Sequence, residues 1–236
     1  MVITIDNLIR KHQTGFFPVV KFNPITDRLK PMDFTQNNTE LTEAILNNTD
    51  KFSTYIDEKL AEGNFLYGIG GYNELRTVYN RSRVFDAPRP GDEPRRLHLG
   101  TDIWGKAGTP VYAFMGGMIH SYAFNEAYGD YGATIVTLHQ LDAVSFYALY
   151  GHLSLRDIKN ISPGQYITRG ETIGHFGIPE ENGHWPPHLH FQLIVDIELH
   201  EGDYPGVCKF SERERYLSNC PDPDLVLMLN RHLPKN

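Results

Sequence analysis

The sequence predicts a mainly β protein: an antiparallel β-sandwich or barrel-like hairpin domain, preceded by an α-helical extension and followed by a short C-terminal helix. Three observations predict it. From about residue 68 to 196, short β-type runs are punctuated by glycine, as in "TPVYAFMGGMIHSYAF", "GATIVTLHQ", "VSFYALYGHLS", "QYITRGETIGHFG" and "PHLHFQLIV". Runs this short, with turn signals at close intervals, suit antiparallel barrels and sandwiches. Upstream the apolar residues take helical spacing, and a hydrophobic content of 40% with 12% aromatics is ample for a core.

Residues 1–67 read as the α-helical extension. A short amphipathic start is followed by "NTELTEAILNNTDKFSTYIDEKLAEG". There Asn38 or Thr39 can cap, Glu40 and Glu43 suit a first turn, and Gly63 suits the stop. Leu41, Ile45, Phe52, Ile56 and Leu60 keep roughly helical spacing, as two helices broken near Asn48. Residues 68–196 form the β domain. Residues 197–236 read as a tail of loops packing on the core and ending in "CPDPDLVLMLNRHL", where Asp222 can cap and Pro223 can take the first helical position.

The formal charge is -7 and the basic residues are scattered, which argues against a nucleic-acid or anionic-membrane partner. No apolar run approaches the ~20 residues of a membrane-crossing helix. The N-terminus has acid and amide residues where a signal peptide would be apolar, so the chain reads as cytoplasmic, or as periplasmic or secreted if a leader has been removed. Two cysteines, Cys208 and Cys220, make no disulfide framework and are expected as reduced thiols.

Of the 11 histidines, His12, His120, His175, His200 and His232 sit in no pattern, and His139 in "VTLHQ" reads as structural. His184 and His188 have the spacing of a helical metal pair, but Pro186 and Pro187 between them rule that helix out. In "WPPHLHFQL", strand alternation sends His188 and His190 to one face and Leu189 and Phe191 to the other. His98 and Asp102, in "RRLHLGTDIWG", project from one face if extended and can converge if turned. Together with one histidine of the 188/190 pair they make a three-ligand set of the kind that holds a zinc ion with one position open. An ionised aspartate with two neutral histidines leaves such a site near +1, which favours lowering the pKa of a bound water toward ~7.

These residues resemble the lysostaphin-type (β-lytic, LytM-like) zinc metallopeptidases. The match is carried by His98 and Asp102 in "HLGTDIWGKAGTPVYA", His152 in "YGHLS", His188 and His190 in "WPPHLHFQL", and the hairpin "SPGQYITRGETIG", over roughly residues 68–196. The resemblance implies a small antiparallel β-sandwich with barrel-like hairpins, open at one end as a groove. It implies one Zn2+ per chain held by His98, Asp102 and His190. His188 and His152 would flank the open position as base and oxyanion stabiliser, and the reaction would be hydrolysis of peptide bonds such as those of peptidoglycan cross-bridges. In some relatives an upstream asparagine keeps the zinc latent, a part that Asn73 in "GIGGYNELR" would take, in a loop that also reads as groove wall.

Two other readings compete, one within the enzyme class and one outside it. The helical N-terminal region and the "CPDPDLVLML" tail resemble those of a branch joined to kinase and aminotransferase modules, which favours a cytoplasmic zinc amidohydrolase or peptidase on small peptides. Some relatives are non-catalytic regulators that have lost metal ligands, whereas the set here is intact. A lipoyl-type carrier is set aside, because the hairpin tips offer no lysine, "ITRGETIG" presenting only Arg169.

Overall fold

A computed structural model describes residues 4–234 of the chain. Helix α1, Ile5–His12, begins where the Thr4 side chain accepts from the Asn7 amide, and it buries Leu8 and Ile9. The first three residues of the amphipathic start lie outside the described residues. Strand β1, Leu29–Met32, follows. The helical stretch is broken as its spacing predicts, into α2, Glu43–Leu46, and α3, Thr49–Ala61. The cap at the break is Asn48, whose side chain accepts from the Lys51 amide; neither Asn38 nor Thr39 starts a helix.

The remaining strands are β2, Tyr67–Gly70, β3, Leu97–His98, β4, Thr101–Trp104, β5, Pro110–Tyr112, and β6, Gly117–Asn125. They continue with β7, Gly132–Leu141, β8, Val144–Leu153, β9, Tyr166–Ile167, β10, Thr172–His175, β11, His188–Ile194, and β12, Val207–Cys208. Eight form one sheet in the order β1-β2-β4-β11-β8-β7-β6-β9. Its pairings are antiparallel except at one edge, where β1 runs parallel to β2. The N-terminal region therefore supplies a strand as well as helices. Pro31 lies in that edge strand, where a residue without an amide hydrogen costs no ladder bond.

The main core gathers Ile135, Tyr150, Leu189, Phe191 and Leu193 of the sheet with Val111, Phe114, Ile173 and Phe176 from and around the β5–β10 pair. The apolar side of β11 thus faces this core, as its alternation predicts. A second cluster joins Phe34, Phe52 and Ile56 of the N-terminal region to Trp104, Trp185, Tyr79 and Val207. Phe52 is fully buried, its ring 5.9 Å from Trp104 and 6.4 Å from Trp185. Helix α3 is in this way part of the wall behind the β domain.

In the C-terminal region, α4, Arg213–Asn219, fully buries no residue and sets only the neighbouring Tyr216 and Leu217 on the core, too short an apolar pattern to announce a helix in the sequence, which reads there as loop. Helix α5, Asp224–Leu227, starts one residue later than expected: Pro223 is its cap, and the Asp222 carboxylate accepts from the Asp224 amide. Cys208 and Cys220 are buried and unpaired. Among the described residues no helix is long and apolar enough to cross a membrane.

Candidate metal centre

The register of three strands builds the centre. β11 runs antiparallel to β4, so that His190 lies opposite Asp102 and His188 opposite Trp104. Cross-strand partners on one face touch. His190 Nδ1 stands 3.1 Å from Asp102 Oδ1, and the His188 ring stacks on the Trp104 indole at 3.9 Å. His98 reaches the same place from β3. The chain turns between β3 and β4 at Leu99 and Gly100, and His98 Nε2 comes to 3.2 Å from Asp102 Oδ1 and 3.0 Å from His190 Nδ1. The three residues are the one group among those described that could hold a metal ion, and all are buried.

The donor set fits zinc. Ligand atoms about 2 Å from a tetrahedral ion stand about 3.3 Å apart, close to the 3.0–3.2 Å seen here. Tautomers agree. His98 Nδ1 lies 2.9 Å from the Gly71 carbonyl, and His190 Nε2 lies 2.9 Å from Gln192 Oε1. Each acceptor takes that ring's N–H, which leaves Nε2 of His98 and Nδ1 of His190 as bare lone pairs. Gln192 is held in turn, its amide donating to the Pro205 carbonyl. Two lone pairs and a carboxylate oxygen packed within 3.2 Å of one another repel unless a cation lies among them. Outward N–H groups bound in this way are the usual support of metal-binding histidines.

Electrostatics point the same way. Burial opposes the charge of Asp102, but the neighbouring His98 and the Arg76 cation outweigh it and hold the carboxyl well below the usual carboxylate range. Burial, with the Arg76 cation, takes the His98 pKa down to about 4. The aspartate is charged and the imidazole neutral, as metal binding needs.

His152 and His188 line the cavity beside this group, together with Asp102, His190, Tyr79 and Trp185. Their rings lie 4.1 Å apart. His188 Nδ1 donates to the Pro186 carbonyl at 2.7 Å, and His152 Nδ1 to the Asn182 carbonyl at 2.8 Å, so in both rings Nε2 keeps its lone pair. Burial pushes the His188 pKa down to about 4, and burial with the neighbouring histidines holds His152 well below its ordinary range. Both are neutral bases in the cavity. His152 owes its position to a bulge. Ala133 to Ile135 of β7 faces Leu153 to Tyr150 of β8, two steps against three, and His152 takes a left-handed φ of 62° within the longer side. Bulges of this kind re-aim side chains next to sites.

Residues 96–201 match the family model described as "Peptidase family M23". That span is similar to a peptidase family M23 domain. All five histidine and aspartate residues just described lie within the matched span. The chain is 28% identical over 147 residues, 60% of its length and 43% of the relative's, to an L-Ala–D-Glu endopeptidase of Bacillus subtilis. It is 26% identical over 167 residues, 66% of its length and 35% of the relative's, to the peptidoglycan DD-endopeptidase ShyC of Vibrio cholerae. The chain thus spans less than half the length of these curated relatives. Among solved structures, the catalytic domain of lysostaphin from Staphylococcus simulans is similar at 22% identity and TM-score 0.39, over 70% of this chain and 96% of that one. A zinc containing peptidase from Vibrio cholerae is similar at 27% identity and TM-score 0.35, over 47% of this chain and 31% of that one.

The fold brings together His98, Asp102, His152, His188 and His190, and it keeps the other singled-out residues apart. Asn73 accepts from Arg213 Nε at 2.9 Å, and its backbone amide donates to the His98 carbonyl, so its side chain is held by the C-terminal region. His184 stacks on Tyr128, and His139 is buried in the core beside Phe114 and Phe146. Trp104 and Trp185 both line the cavity and are both buried. Sequence reasoning missed Arg76, the last residue of "GIGGYNELR", which donates from Nη1 to Asp102 Oδ2. No local spacing signals it, because the contact spans 26 residues.

Proposed function

We propose that the chain is a zinc-dependent metalloendopeptidase that hydrolyses amide bonds of peptidoglycan peptides. The observation that carries this reading is the convergence of three bare donor atoms, His98 Nε2, Asp102 Oδ1 and His190 Nδ1, at 3.0–3.2 Å beside a cavity that Asp102 and His190 line together with two further neutral histidines. In this reading His98, Asp102 and His190 hold the zinc. Zinc bound there supplies Lewis acidity toward the scissile carbonyl and toward a water molecule.

The rest is the work of the chain's own side chains. His152 and His188, each with Nδ1 committed to a backbone carbonyl, offer Nε2 lone pairs to a water in the cavity. Either ring takes the water's proton and, once charged, gives it to the leaving amine. A charged imidazole also donates a hydrogen bond to the carbonyl oxygen as charge builds there. The stacked Trp104 fixes the plane of His188, so the lone pair stays aimed. The endopeptidase names of the two relatives support a peptide substrate, and the peptidoglycan named in one of them supports that polymer.

The test is a metal analysis of the purified protein joined to a hydrolysis screen against peptidoglycan, oligoglycine and mixed cytosolic peptides, with chelator controls. About one zinc per chain and chelator-sensitive release of peptidoglycan peptides are expected. A folded protein that takes up no zinc overturns the reading. Cleavage confined to small cytosolic peptides would keep the chemistry and replace the substrate.

A further inference from the structure

We propose that Arg76 is a positioning residue of the metal site, holding Asp102 and His98 in place together; the inference rests on the metal-site reading above. The Arg76 guanidinium is buried, 2% exposed, and each of its nitrogens is committed. Nη1 donates to Asp102 Oδ2, Nε to Glu74 Oε2 at 2.6 Å, and Nη2 to the Gly71 carbonyl at 3.1 Å. That carbonyl also accepts from His98 Nδ1 at 2.9 Å. One planar fork therefore ties the outward oxygen of Asp102 to the acceptor that sets the His98 tautomer. With Oδ2 engaged, Oδ1 is the carboxylate oxygen turned to His98 and His190.

A plain stabilising ion pair explains these contacts less well. Buried ion pairs are poor stabilisers, since apolar replacements of similar volume are often neutral or better. A cation next to a metal ligand also opposes the metal's own charge. Glu74 answers that second cost: its carboxylate faces Arg76, so Arg76 and Glu74 together add no net charge and Asp102 still meets the metal as an anion. Room has been made for the fork as well. A Cβ on Gly70 would stand 2.8 Å from Arg76 Nη2. The guanidinium then lies over the Phe34 ring at 5.1 Å, which ties the N-terminal region to the same assembly. Only a planar multi-donor head makes these bonds at once; an ammonium cannot.

The experiment compares metal-free wild type with Arg76→Gln, Arg76→Lys and Glu74→Gln, titrated with Zn2+ against a chromophoric chelator and with Co2+ followed by visible absorption. For Arg76→Gln we expect zinc affinity to fall about 10- to 100-fold, as for other groups that support metal ligands. The cobalt spectrum should weaken as Asp102, freed at Oδ2, changes its coordination. Arg76→Lys restores charge without the fork and should share the altered spectrum. Glu74→Gln, which loosens the fork but leaves its contact with Asp102, should lose less affinity in the same direction, and it remains informative if the arginine variants fail to fold. Zinc affinity within about twofold of wild type in the folded variants, with an unchanged cobalt spectrum, overturns the role of Arg76 alone. A wild type that takes up neither metal overturns the metal site itself.

Discussion

The His188 ring lies flat on the Trp104 indole, 3.9 Å between centroids and 13° between planes. The contact is a cross-strand pair between β11 and β4, and Trp104 in turn packs on Phe34 at 5.1 Å and Phe52 at 5.9 Å. Helix α3 thus reaches the cavity through Phe52, which packs on both Trp104 and Trp185. Trp104→Leu is expected to cost about 2–4 kcal/mol of stability, as for other large-to-smaller core changes. It should lower kcat at least tenfold while leaving bound zinc unchanged, because none of the three donor atoms is touched. Thermal melts, metal analysis and initial rates on the variant check this; a variant that melts early yet keeps full kcat would separate the stack from the chemistry.

The two histidines of β11 should respond differently to truncation. His190→Ala removes a donor atom of the converging set, so zinc content should fall toward zero and activity with it. His188→Ala and His152→Ala leave all three donor atoms in place and should keep the metal while losing at least 100-fold in kcat, within the usual worth of a general acid or base. Zinc lost from His188→Ala and retained by His190→Ala would reverse the assignment within the pair.

His139 supplies a pH dependence that is separate from the cavity. It is 1% exposed, with Nδ1 donating to the Gly116 carbonyl at 3.0 Å and Nε2 lying 2.7 Å from Thr137 Oγ1. Burial, partly offset by the Gly116 hydrogen bond, lowers its pKa to about 4. In the unfolded chain a histidine takes its proton near pH ~6.5. The unfolded state therefore binds more protons between those values, and stability falls as pH drops from about 6.5 toward 4. The loss attached to His139 is about 3 kcal/mol. Denaturant melts at pH 7 and pH 4.5 should show a smaller drop for His139→Gln than for wild type; equal drops would remove His139 as the cause.

Much of the site is legible in the sequence because it is built from short-range rules. Strand alternation groups His188 with His190, and a His-to-Asp spacing of four lets His98 and Asp102 meet whether the segment is extended or turned. The structure brings the three together with His190 opposite Asp102. What the sequence hides is set by long-range contact. β1, "LKPM", has a proline and no alternation, and it is a strand only because β2 lies parallel beside it. α4 packs only the partly buried Tyr216 and Leu217 on the core. The left-handed backbone at His152 comes from a bulge between two strands that no single-strand pattern reveals. Arg76 reads as the end of a glycine-rich loop until its partners, Glu74, Asp102 and the Gly71 carbonyl, are assembled around it.

Gly100 offers the sharpest steric test of the centre. It lies in "HLGTD", between His98 and Asp102, where the chain turns from β3 into β4. A Cβ there would stand 2.4 Å from His190 Cε1, 2.5 Å from His190 Nε2 and 2.9 Å from the Phe191 carbonyl. The ring cannot yield cheaply, because its Nε2–H is bound to Gln192 and its Nδ1 belongs to the donor set. Gly100→Ala should therefore push His190 out of line, with zinc affinity falling about 10- to 100-fold, the range seen when support of a metal ligand is removed. Its backbone has no left-handed φ, so the strain of the substitution is the steric one at His190 and the Phe191 carbonyl. Zinc titration of the folded variant decides the matter: wild-type affinity in Gly100→Ala would mean that His190 can move without loss, and that the donor set is looser than its 3.0–3.2 Å spacings imply.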